Sequence, residues 1–153
     1  MSGRRGFSLI ELVIVVVIIG ILGAIAIPRI SRGTEAARIN AFVKEINALA
    51  TAIDHYQVQT GNKVTDSSTG RTPTELKDYL QDNAWEGETP IGGFWDIEVN
   101  DRGVGMAIGV HFMGVTVDRD AAKEVDEVLD DGNLKSGVFQ QLAPDRYYLI
   151  LEN

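Results

Sequence analysis

Residues 4–13 read Arg4-Arg5-Gly6-Phe7-Ser8-Leu9-Ile10-Glu11-Leu12-Val13. Two arginines, a glycine and an aromatic lead into an apolar run, and one glutamate stands at its head. Leu12 to Ile27 is 16 residues with no polar side chain; counted from Phe7 the run is 21 residues, interrupted only by Ser8 and Glu11. A helix rising about 1.5 Å per residue needs roughly 20 residues to cross bilayer hydrocarbon. A buried strand rarely runs beyond about 10 residues. The run therefore predicts a membrane-inserted helix. Arg4 and Arg5 precede it with no acidic neighbour, which predicts a cytoplasmic N-terminus. Arg29 and Arg32, beyond the run, weaken that bias.

Three export signals compete for this segment. A general signal peptide has its small-x-small site at Ala24-Ile25-Ala26. A twin-arginine signal has Arg4-Arg5-x-Phe7. Both leave Glu11 unexplained, and both expect a polar break where the chain instead passes through Pro28 into another helical pattern. The third uses every unusual residue. Gly6-Phe7-Ser8-Leu9-Ile10-Glu11 resembles the processing site of type IV prepilins and type II secretion pseudopilins. The resemblance implies a leader at residues 1–6, cleavage after Gly6 by a prepilin peptidase, and N-methylation of Phe7. Glu11 becomes the fifth mature residue, and Pro28 falls where many such proteins carry proline.

A carboxylate in lipid costs about 2.5–3.5 kcal/mol at mid-membrane, so one is usually functional. Near the membrane edge it can snorkel to water. In a stack of subunits it needs another partner, and cleavage before Phe7 creates a free amine on each neighbour. An unpaired buried charge is strongly penalised, so such a pair acts as a register lock. Gly20, Gly23, Ala24 and Ala26 are small enough for close helix packing in lipid. Pro28 lacks an amide hydrogen and predicts a kink or break.

The helical pattern resumes beyond Pro28. Ile39, Phe42/Val43, Ile46, Leu49/Ala50 and Ile53 recur at spacings of three and four, which predicts one apolar stripe. Gly61 is a natural stop. The predicted organisation is leader 1–6, transmembrane and assembly helix 7–28, amphipathic second half 29–61, and globular head 62–153. In the head, Thr72-Pro73-Thr74-Glu75 resembles a helix start. Trp95-Asp96-Ile97-Glu98-Val99 alternates as a half-buried strand does. Val104–Phe112, Val138–Leu142 and Tyr147–Leu151 predict three more strands, and Arg119–Leu129 a short helix. The fold class is α+β: a long N-terminal helix on a small antiparallel sheet of about four strands, which fits the pilin fold that the resemblance implies.

The head is acidic. From Gly61 to Asn153 there are 8 Lys/Arg and 18 Asp/Glu, a net charge of −10 within a chain total of −8. That argues against a nucleic-acid partner, which needs clustered cations. The absence of cysteine excludes disulfides and thiol chemistry. His55, beside Asp54, and His111, in strand-like sequence, read as surface-facing histidines. The glycines of Gly103-Val104-Gly105-Met106-Ala107-Ile108-Gly109 lie in strand sequence with no helix opening at them, so they read as close-packing positions and not as a dinucleotide loop. Asp126, Asp130, Asp131 and Asn133 offer oxygens that calcium could take, but without EF-hand spacing. They read as a solvated helix end with an Asp-Gly turn. No catalytic group, metal ligand or cofactor is assigned.

The resemblance implies a structural filament subunit and not an enzyme. Its partners would be other pilin-like subunits, the prepilin peptidase/methyltransferase, an inner-membrane assembly platform and lipid. It would wait in the inner membrane, N-terminus cytoplasmic and head periplasmic, and then enter a filament. The missing cysteines tilt the reading to a type II secretion pseudopilus. A surface type IV pilus for adhesion, motility or DNA uptake is the alternative. A membrane-anchored periplasmic binding module is the rival of another class.

Overall fold

The structure is a computed structural model that describes residues 8–67, 70–81 and 84–153, with the side chains of residues 23–32 outside the description. It divides into two compact units, Met1–Ala37 and Arg38–Asn153. Helix α1 spans Leu9–Thr60, and its backbone stays helical at Gly20 and Pro28, so Pro28 does not end it. Gly61 ends it: its φ is +69°, and its amide still donates to the Gln57 carbonyl at 2.8 Å. A left-handed residue just past the last turn is the commonest helix stop, and glycine enters it without steric cost.

In the second unit, β1 (Phe94–Asp101) and β2 (Val104–His111) form a hairpin, α2 (Arg119–Leu129) follows, and β3 (Phe139–Ala143) and β4 (Arg146–Glu152) form a second hairpin. The strands make one antiparallel sheet in the order β1-β2-β4-β3. This is the expected α+β, pilin-like arrangement of a long helix with a four-stranded antiparallel sheet. The predicted helix near Thr74 is only a single 3-10 turn, Thr74–Leu76. Its N-terminal side chains offer no cap, so nothing there propagates a longer helix. In α2, by contrast, the Asp118 carboxylate caps the Ala121 amide at 3.0 Å.

The predicted stripe holds. Ile39, Phe42, Ile46, Leu49 and Ile53 are all buried, in one cluster with Trp95 and Ile97 of β1, Met106, Ile108 and Val110 of β2, Phe139 of β3 and Tyr147 and Leu149 of β4. Phe42 stacks on Trp95 with ring centroids 5.0 Å apart and meets Phe139 edge-on at 6.3 Å. Aromatic pairs at such distances add about 0.5–1.5 kcal/mol beyond area burial. Trp85 and Ile91, in a stretch with no periodicity, are buried in the same core.

Candidate functional site

Gly6 and Phe7 lie outside the described residues. Description begins at Ser8, and there the carboxylate of Glu11 has a partner. The Ser8 amide donates to Glu11 Oε2 at 2.7 Å, and the Leu12 amide donates to the Ser8 carbonyl at 3.2 Å. Ser8 stands immediately before α1 and Glu11 is its third residue, so the carboxylate reaches back over the first turn. This is half of a capping box, the arrangement in which Glu or Gln at the third position satisfies the cap residue's own amide. It also places negative charge at the positive end of the helix dipole. The Ser-x-x-Glu spacing announces this second role in the sequence, yet a reading centred on lipid and on neighbouring subunits passes over it.

Beyond Glu11, Leu9, Ile10, Leu12 to Ile19, Ile21 and Leu22 form a run of large apolar side chains, each at least 46% exposed. They surround the helix. Soluble proteins rarely leave so much contiguous apolar surface uncovered, and such a surface marks a partner or a membrane. Among the described residues, no helix is long and apolar enough to cross a membrane. The described apolar side chains end at Leu22, and the part of the expected span from Gly23 to Ile27 lies outside them.

Residues 1–27 match a family model described as the prokaryotic N-terminal methylation motif. The chain is similar to a fimbrial protein of Pseudomonas aeruginosa, 44% identical over 69 residues, 45% of this chain and 44% of that one. It is similar to the type II secretion system core protein G of the same organism, 40% identical over 55 residues, 36% of this chain and 39% of the relative. A type IV major fimbrial protein of Dichelobacter nodosus is 39% identical over 75 residues, 49% of this chain and 46% of that one. The chain thus spans less than half the length of each of these relatives. No solved structure gives a significant match.

The second unit holds a further polar constellation, on the face of the sheet away from the aromatic core. The alternation in β1 predicts Asp96 and Glu98 at the surface, but both are buried, at 1% and 3% exposure. The reason lies in the strand order. Asp96 pairs across with Gly109 of β2, and Gly109 pairs with Tyr148 of β4. Tyr148 reaches over the glycine and donates its hydroxyl to Asp96 Oδ2 at 2.5 Å. Arg146 Nη1 donates to Asp96 Oδ2 at 3.2 Å and also binds Glu98 Oε1. Arg102, in the β1–β2 turn with φ +51°, donates to Glu98 Oε1 at 2.9 Å. His111 is not surface-facing either: it is buried, with Nε2 3.2 Å from Asp145 Oδ2 and Nδ1 3.7 Å from Asp96 Oδ2. Asp96, Glu98 and the Arg146 guanidinium thus close on the Tyr148 hydroxyl, and Arg102 joins them through Glu98. No nucleophile activated by a base is among them, and the arrangement ties β1 to β4 across β2.

Burial dominates the Asp96 carboxyl and pushes its pKa up to about 6, with Glu98 adding to the rise and Tyr148, Arg146 and His111 opposing it. The folded head keeps this proton up to that pH, while the unfolded chain releases it near 3.8. Between those values folding takes up a proton, so stability falls as pH rises. The interval of about two pH units is worth roughly 3 kcal/mol. Asp126, whose pKa is also raised, contributes with the same sign. Urea melts at pH 4 and pH 7 are expected to show the wild type less stable at pH 7 on this account, and Asp96→Asn to remove most of that loss. Equal pH slopes in the two proteins would count against the buried-carboxyl account.

The predicted acidic group is partly assembled. Asp126, Asp130 and Asp131 converge at the end of α2. The Asn133 amide donates to Asp131 Oδ1 at 2.8 Å, while its side chain bonds Ser136 Oγ at 2.7 Å and accepts from the Lys135 amide at 3.4 Å. His55 is exposed on α1.

Proposed function

We propose that this chain is a structural subunit of a type IV filament system, cleaved between Gly6 and Phe7, methylated on Phe7, and polymerised through the apolar helix that begins at Leu9. The observation that carries this reading is the pairing of the methylation motif over residues 1–27 with a helix whose apolar side chains are exposed on all sides. Residues 1–6 are then the leader, 7–28 the membrane and assembly segment, 29–61 the amphipathic continuation, and 62–153 the head. The head faces the periplasm before assembly. Partners in this reading are further pilin-like subunits, a prepilin peptidase/methyltransferase, and an inner-membrane assembly platform.

Within that frame we place the chain in a type II secretion pseudopilus. The similarity to a core protein G and the absence of cysteine support it. The surface-pilus reading has its own support, since the fimbrial relatives match longer stretches, 69 and 75 residues against 55. Gene deletion separates the two: loss of enzyme secretion supports the pseudopilus, and loss of surface fibres the pilus. The subunit reading is tested by the intact mass and N-terminal residue of chain extracted from membranes. Phe7 bearing one methyl group is the expected result. A mature chain starting at Ile27, after the Ala24-Ile25-Ala26 site, would exclude it.

A further inference from the structure

An open groove of about 860 Å³ lies within the second unit, between α1 and the segment that leads into β1. Its apolar lining includes Leu49 of α1 and Trp95 of β1, both buried, with Ala41 and Ala48 on the helix beside them. The walls are held in place. Trp95 stacks on Phe42. Tyr79 meets Tyr56 edge-on at 5.6 Å and donates its hydroxyl to Gln59 Oε1 at 2.9 Å. Pro90, a further wall residue, is tied to α1 by Arg38, whose Nε donates to the Pro90 carbonyl at 2.9 Å. A groove whose walls are already fixed loses little conformational freedom when it is filled.

Its charges select the occupant. Glu45, Glu86 and Glu88 line it against one cation, Lys44, a sum of 1 − 3 = −2. Burial raises the Glu45 pKa, and Lys44 offsets that only in part. An apolar and aromatic floor with carboxylates around it suits a lysine or arginine side chain, whose stem is apolar and whose tip is charged.

The groove does not complement itself. Two copies joined face to face through it would set −2 against −2, and like charges across an interface repel. A different patch must bring the cations. A contact between two different patches is heterologous, the type that generates open helical filaments. Residues 61–153 contain eight Lys/Arg, and few are free to serve. Lys63, Arg102 and Arg146 are ion-paired within the chain. Arg71 and Lys77 line a hollow that shares Leu80, Gln81 and Glu86 with the groove, so they belong to the same patch. Arg119, Lys123 and Lys135 remain. They are exposed, and they line a separate hollow in which Asp120 is the one acidic lining residue, a sum of 3 − 1 = +2. The contact of Lys123 with Glu127, 3.6 Å between two exposed groups, holds it only weakly.

We propose that Arg119, Lys123 and Lys135 of one copy of this chain dock on the acidic groove of the next, in a head-to-head contact that repeats along the assembly. The proposal rests on the filament reading and adds the pair of surfaces that lets heads of net charge −10 adjoin. Each step sets +2 against −2, so the contact weakens as salt rises.

The test uses the full chain in filaments taken from cells that assemble them. A carbodiimide joins lysine amines directly to carboxylates. It is expected to link Lys123 or Lys135 to Glu45, Glu86 or Glu88 in filaments and not in detergent-dispersed subunits, and it needs no variant. Glu86→Lys with Glu88→Lys, and Arg119→Glu with Lys135→Glu, should each lower filament yield at least about tenfold. The four changes together should bring the yield back to within about threefold of wild type. All four positions are exposed, so the fold is expected to survive each change. Filaments that form without this cross-link, or a quadruple variant no better than either pair, would overturn the contact and leave the filament reading standing. Cross-links from the groove to a different basic protein would also overturn it. A chain that is not processed at Phe7 and forms no filament would remove the filament reading, and the contact with it.

Discussion

Glu11→Gln is expected to leave cleavage after Gly6 intact and to abolish filament assembly, and Glu11→Ala is expected to do the same. The pair of variants separates two roles that one carboxylate fills. In the free chain Glu11 Oε2 accepts the Ser8 amide at 2.7 Å and closes the first turn of α1. Glutamine keeps an acceptor oxygen at that position, and capping boxes use it interchangeably with glutamate. Glu11→Gln therefore preserves the cap and removes only the charge. In the proposed filament the charge is the part that matters, because the methylated amine of a neighbouring Phe7 remains cationic when Glu11 is neutral. Removing one partner of a buried ion pair costs about 3–5 kcal/mol, which lowers association by more than about a hundredfold. The measurements are the N-terminal mass of the membrane form and the yield of sheared or sedimented filaments. If Glu11→Gln assembles normally while Glu11→Ala does not, the cap is the essential role and the intersubunit pair is wrong.

The cap also changes how Glu11 is pictured before assembly. A lone carboxylate at the membrane edge would have to seek water. Here it has a local donor, so in the proposed assembly the subunit would exchange that bond for the intersubunit ion pair. The exchange favours assembly only to the extent that a full cation beats one backbone amide. Charge-assisted bonds are roughly twice as strong as neutral ones, so the preference in the proposed filament would be modest.

What could be read from the sequence follows the range of the interactions. The stripe from Ile39 to Ile53 is a local pattern of period 3.6, and the core uses it as expected. The four strands and α2 also sit close to their predicted positions, because each announces itself within about ten residues. Asp96 and Glu98 defeated the same logic. Alternation says which face a side chain points to, but not what lies on that face. Their partners Arg146 and Tyr148 are some 50 positions away and arrive only because β4 inserts next to β2. Strand order is not a local property, so a polar residue in a strand defaults to solvent. Trp85 and Ile91 failed for the complementary reason: they pack as individual anchors in an irregular segment, where no period exists to reveal them. Asp126 lay within a group that the sequence did single out. Its burial beneath that group is visible only in three dimensions.

Gly109→Ala is expected to be the most damaging single-methyl change in the head. A Cβ on Gly109 would stand 1.9 Å from the Tyr147 carbonyl oxygen and 2.6 Å from Tyr148 Cα. Both obstacles are backbone of the neighbouring strand, so no side chain can rotate away, and β2 and β4 must separate. Separation would draw Tyr148 from Asp96 and leave a buried acid with less support. Overpacking alone costs about 1–3 kcal/mol, and stranding a buried polar group adds about 1–3 kcal/mol. The sum of roughly 2–6 kcal/mol is a large share of the 5–15 kcal/mol that holds a typical domain together. Two comparisons localise the effect. Gly105→Ala meets the Asn153 carbonyl at 3.1 Å and Glu152 Cβ at 3.2 Å, at and just past the end of β4, where a shift of a few tenths of an ångström suffices. It should cost under about 1 kcal/mol. Tyr148→Phe keeps the ring over Gly109 but deletes the hydroxyl, and should cost about 1–2 kcal/mol. Urea unfolding followed by the fluorescence of the buried Trp85 and Trp95 would report all three. A Gly109→Ala midpoint equal to that of Gly105→Ala would mean that the close approach of β2 and β4 at this position does not exist.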